Sequence, residues 1–139
     1  MVARRLCTRR WWADERADYE LFTSAFVLGE LQDGDYPNKT ETLALVADIP
    51  LLEVVPDVEA IAGVYMTRKL MPQSDIGDAY HVAMASYYGV HFLLTWNCRH
   101  LANANKVRHL QVVNAELGLS VPIITTPDLL LTEVDDDER

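Results

Sequence analysis

The chain has 139 residues, 50% hydrophobic and 24% charged, the balance of one globular domain with a real core rather than of a disordered or fibrous chain. Its formal net charge of −9 argues against non-specific grip on long nucleic acid, which lysine and arginine supply by neutralising phosphates. It leaves open an enzyme that reaches nucleic acid through cations held by carboxylates. No apolar run approaches the ~20 residues of a membrane helix, and residues 1–12 lack the uninterrupted apolar stretch of a secretory signal, so a cytoplasmic protein with no membrane partner is expected. Cys7 and Cys98 lie far apart and form no CxxC pair, as expected of free thiols rather than of a disulfide framework or a zinc knuckle.

Residues 1–16 place Leu6, Trp11 and Trp12 among five arginines, which predicts an amphipathic helix. Tyr19 to Thr23 reads as a short strand, after which Ser24 caps a helix running to about Asp33. Gly34 and Pro37 end it. A second helical stretch, 38–48, leads to the apolar run Leu51 to Val55, read as a buried strand. Pro56 opens a further helix, with Val58, Ile61, Ala62, Tyr65 and Met66 at helical spacing.

Pro72 ends that segment, and the next helix runs from about Asp75 to Tyr88, stopped by Gly89. His91 to Thr95 reads as a strand, followed by a helix from Asn97 to Leu117 that Gly118 closes. A last strand, Pro122 to Thr125, precedes a turn after Pro127. Strands alternating with helices predict an α/β fold with a parallel sheet flanked by helices, in one domain over 1–131. The acidic stretch 132–139 reads as a mobile tail.

In such a fold ligands bind beyond the carboxyl ends of the strands, which directs attention to Glu30, Asp75, Asp78 and Asn97. Glu30 shares a helical face with Phe26 and Val27 and therefore needs a partner, either a cation such as an N-terminal arginine or a bound metal. Asp75 and Asp78 stand three apart at a helix start, where a capping box and the helix dipole explain them without any ligand. For Asp78 a functional role gains ground, because Ala79, Ala83 and Ala85 keep the helix slim. His81, one turn beyond Asp78, reads first as a satisfied structural histidine. Asn97 suits an N-cap or a water-positioning amide. Trp11, Trp12 and Trp96 read as packing residues rather than base-stacking ones, and Cys98 with His100 lacks the second pair a metal site needs.

Three segments, Ser24-Ala-Phe-Val-Leu-Gly-Glu30, Asp75-Ile-Gly-Asp78-Ala-Tyr-His81-Val-Ala and Leu94-Thr-Trp-Asn97-Cys-Arg-His100-Leu-Ala-Asn103, together resemble the PIN-domain ribonucleases, specifically their VapC-like toxin branch. The resemblance spans about residues 11–130. It implies a PIN-like three-layer fold and a metal-dependent endoribonuclease of the toxin–antitoxin type, with one or two Mg²⁺ or Mn²⁺ ions as cofactor. Its implied partners are an RNA substrate, a small antitoxin protein and a second copy in a homodimer. On this resemblance Glu30 matches the family's helix acid and Asp78 the acid of its Asp-Ala-x-His-x-Ala motif. Asn97 occupies the usual place of another acid, and Thr95 matches the polar residue before it; beside these, Asp75 is a candidate auxiliary metal ligand, and Thr95 and His81 are candidates for supporting the ligands from behind.

Two departures stand out. Nothing before Leu6 matches the first, central strand and its acid with which the family begins, and Asn97 replaces a carboxylate by an amide. A catalytically impaired PIN-like module acting by binding a protein or RNA is therefore the alternative expectation. A phosphatase or receiver-type domain would need an Asp at the end of its first strand, which is not seen.

Overall fold

A computed structural model of the chain describes residues 2–70, 76–95 and 104–130. Asp75, Trp96, Asn97, Cys98, His100 and the acidic tail lie outside the described residues. The described chain is mixed α/β and mostly helical, with four short strands in two parallel two-stranded sheets.

Helix α1 covers Val2–Asp14 and passes through a 3₁₀ turn, Arg16–Asp18, into β1, Thr23–Ser24. The predicted strand over Tyr19 to Thr23 is thus shorter and displaced toward Ser24. Trp11 is buried with its ring 5.5 Å from Tyr19, whose ring meets the edge of Phe92 at 6.0 Å. Trp12 carries the Arg16 guanidinium over its face at 4.5 Å. The two tryptophans are occupied in packing, as expected.

Ser24 caps α2, Ala25–Asp33, by accepting a hydrogen bond from the Val27 amide at 3.3 Å. Gly34 ends α2, and the Tyr36 hydroxyl donates to the Leu31 carbonyl at 2.8 Å, pinning the loop that follows. Helix α3, Lys39–Val46, packs beside α2, and the Lys39 ammonium donates to the Gln32 carbonyl. Strand β2, Leu51–Leu52, pairs with β1 in parallel, Thr23 opposite Leu51 and Ser24 opposite Leu52. The run Leu51 to Val55 was expected as a buried strand. Among the described residues only its first two residues join a ladder, and Leu51 stays 49% exposed.

Helix α4, Pro56–Thr67, starts with Pro at its first turn and acids Asp57 and Glu59 facing the positive end of the helix dipole. Helix α5 covers Ile76–Tyr87. Val58, Ile61, Ala62 and Tyr65 of α4 pack on Ala79, Val82, Ala83 and Met84 of α5, and the alanines let the two helices approach closely. Met66, expected in the same stripe, is only half-buried. Helix α6, Ala104–Leu117, adds Leu110 and Val113. Val58, Val82 and Val113 are wholly enclosed, each removal from water contributing about 1.5–3 kcal/mol. Gly89 and Gly118, at φ of 66° and 72°, follow α5 and α6 in the left-handed conformation that closes a helix.

Strands β3, Phe92–Leu94, and β4, Ile123–Thr125, form the second parallel pair, with Leu93 opposite Ile124. Leu93 and Ile124 face the helical core, while Phe92 and Ile123 point away and stay partly exposed. The expectation of one parallel sheet covered on both faces is therefore modified. The strands fall into two pairs, β1–β2 and β3–β4, and among the described residues no backbone ladder joins them.

At the centre of the helices lies a polar cluster that sequence reading did not single out. The Tyr65 hydroxyl lies 2.6 Å from Asn114 Oδ1 and 3.1 Å from Ser86 Oγ, and Asn114 Nδ2 donates to Ser86 Oγ and to the Ser120 carbonyl, each at 3.0 Å. Every side chain in it has a partner, which is the condition under which buried polar groups are tolerated. It ties α4, α5 and α6 to the loop before β4.

Candidate functional site

Glu30 lies in the last turns of α2, held there by the Ser24 cap and by the apolar face that Phe26 and Val27 share with it. Phe26 stacks on Tyr80 of α5, centroids 4.2 Å apart and planes 18° from parallel, and meets His81 edge-on at 6.5 Å. This aromatic contact brings α2 onto the N-terminal half of α5. There the Glu30 carboxylate and the His81 ring meet, Oε1 to Nε2 at 2.5 Å, across 51 positions of sequence.

The partner Glu30 was expected to need is therefore His81 rather than an N-terminal arginine. Arg10 is 3.8 Å from Asp14, and Arg16 lies over Trp12. The two side chains differ sharply in exposure, 59% for Glu30 and 15% for His81. A carboxylate that keeps most of its contact with water retains hydration that a further ligand can replace.

Asp78 sits in the first turn of α5, half-buried. It precedes His81 by three positions, so the two side chains are neighbours on one helical face, with Cβ atoms about 5–6 Å apart. Through His81 the segment that ends in Glu30 therefore meets the segment that carries Asp78. Thr95 closes β3, its backbone amide donating to the Thr125 carbonyl at 2.9 Å, which extends the β3–β4 ladder by a residue. Asp75 and Asn97 lie outside the described residues.

Among the described residues no group of three or more histidine, cysteine, aspartate or glutamate side chains is arranged to hold a metal ion. The carboxylates that the two helices supply, Glu30 on α2 and Asp78 on α5, are hard oxygen donors. Such a set does not suit zinc, which takes three or four nitrogen and sulfur ligands in a closed site. It suits Mg²⁺ or Mn²⁺, which keep several waters and need one or two protein carboxylates.

No family model, no curated protein and no solved structure matches the chain. Fold and site together define a mixed α/β domain, mostly helical, in which a carboxylate–histidine contact joins two helices beside two small parallel sheets. Among the described residues no helix is long and apolar enough to cross a membrane.

Proposed function

We propose that the chain is a PIN-like domain of the toxin type, a metal-dependent endoribonuclease that hydrolyses RNA phosphodiester bonds. The observation that carries this reading is the contact between Glu30 and His81, which unites two of the three sequence segments on which the resemblance rests. The pairing of the strands supports it as well. In a PIN sheet the first strand lies between two pairs of strands, and among the described residues β1–β2 and β3–β4 are two such parallel pairs.

In this reading Glu30 and Asp78 are the acids that hold Mg²⁺ or Mn²⁺, with Asp75 as an auxiliary ligand and Asn97 positioning water. A bound divalent ion supplies charge neutralisation at the scissile phosphate and lowers the pKa of a bound water. The chain's own contribution is to place the acids on the ends of two packed helices, α2 and α5, whose relative position the Phe26–Tyr80 stack sets. An overall net charge of −9 leaves binding of RNA dependent on that local cation rather than on a basic surface.

The test is calorimetric titration of the folded chain with Mn²⁺, alongside cleavage of RNA with and without Mg²⁺. Glu30→Gln and Asp78→Asn are each expected to weaken Mn²⁺ binding about tenfold or more, equivalent to ~1.4 kcal/mol, and to abolish metal-dependent cleavage. A folded protein that binds no Mn²⁺, and whose behaviour Asp78→Asn leaves unchanged, would sink the nuclease reading. The second reading, a PIN-like module that binds a protein or RNA without cutting it, is favoured by the sparse donor set among the described residues. It predicts retained partner binding in both substituted proteins.

A further inference from the structure

We propose that His81 is a positioning residue for Glu30, holding one carboxylate oxygen so that the other is presented to the divalent cation. This rests on the reading of Glu30 as a metal-binding acid. A glutamate side chain that is 59% exposed has several rotamers open to it, and a cation site needs one of them. His81 is the rigid member of the pair. Its side chain is 15% exposed, the Phe26 ring lies 6.5 Å from its own at an interplanar angle of 85°, and its neighbours along α5, Tyr80 and Val82, are respectively stacked on Phe26 and fully buried.

The chemistry of the contact assigns the proton. An ionised carboxylate only accepts hydrogen bonds, so Nε2, 2.5 Å from Oε1, carries the hydrogen. Nε2 is thereby used, and His81 acts on the cation through Glu30 rather than by ligating it. Only Oε1 is engaged by the ring, which leaves Oε2 for the metal. Hydrogen bonds of this kind behind a ligating carboxylate orient it, and their loss typically lowers metal affinity about 10–100-fold.

Two substitutions in the full chain separate orientation from mere helix clamping. His81→Phe keeps an aromatic ring beside Phe26 and removes the donor; His81→Gln restores an N–H donor. The expected result is Mn²⁺ affinity about tenfold or more weaker for His81→Phe and recovered to within about threefold of the original for His81→Gln. Melting temperatures measured without metal are not expected to follow that order. Wild-type affinity in His81→Phe with a lowered melting temperature would show the contact to be a clamp and overturn the proposal, as would a failure of His81→Gln to rescue.

Should His81→Phe fail to fold, ¹⁵N-histidine NMR of the unsubstituted chain decides at pH 8. A hydrogen on Nε2 is expected, unchanged by Mg²⁺, and a bare Nε2 overturns the proposal. Unweakened Mn²⁺ binding in Glu30→Gln instead removes the metal reading itself, and does so without touching His81.

Discussion

Tyr65 combines complete burial with a polar hydroxyl, and its surroundings account for both. Burial pushes its phenol above the ordinary value, an effect that the hydrogen bonds with Ser86 and Asn114 only partly offset. A group whose pKa is higher in the folded state stabilises the fold fully below its unfolded value. That stability is lost as pH rises, because the unfolded chain releases the proton first. Chemical denaturation of the chain is therefore expected to show stability falling above about pH 10, with a smaller fall in Tyr65→Phe. At neutral pH the same substitution leaves Asn114 Oδ1 without its donor and is expected to cost about 1–3 kcal/mol in a urea titration. Arg68 and Glu116 make a contrasting pair. Their side chains are 39% and 55% exposed, and Arg68 holds the Glu116 carboxyl below the usual carboxylate range. That contribution is present above the ordinary carboxylate pKa and lost as pH falls through the lowered one, and solvent screening keeps it small.

At the scale of elements, the helix ends are where local chemistry is most exposed to test. The Ser24 side chain satisfies one otherwise unpaired amide of α2, and Ser24→Ala is expected to cost about 1 kcal/mol, read as a lowered urea midpoint with unchanged slope. Because α2 carries Glu30, Mn²⁺ affinity should fall with it if the cap also sets the pose of the acid. Gly118 ends α6 at φ 72°, and a Cβ placed there would meet nothing within 4 Å. Gly118→Ala thus isolates the backbone term, and a loss of about 1–2 kcal/mol in the same titration is expected. Much of this was legible along the chain. The cap at Ser24, the proline at the start of α4 and the glycines after α5 and α6 are signals that act within a few residues of themselves, so their outcome needs no tertiary context. The strands were less legible. Leu51 to Val55 is apolar but for Glu53, yet strand formation depends on a neighbour, and among the described residues only Leu51 and Leu52 have one.

For the whole molecule, the core of α4, α5 and α6 and the small β1–β2 sheet are unequal partners. The helices hold the fully buried side chains and the polar cluster, whereas β1 and β2 pair over two residues each and α2 and α3 hold no fully buried residue. Native-state hydrogen exchange is expected to rank them accordingly, with amides of α4 and α5 exchanging only by global unfolding and those of β1, β2 and α3 by local opening. Equal protection throughout would show that β1, β2 and α3 are as cooperative as the core. The sequence by itself determined the order of helices and strands and the α/β class, because periodicity, caps and breakers act locally. It did not determine how the strands pair, that Glu30 takes His81 as its partner, or that Tyr65, Ser86 and Asn114 meet. These depend on residues 21 to 51 positions apart being brought together by packing, which no local pattern encodes.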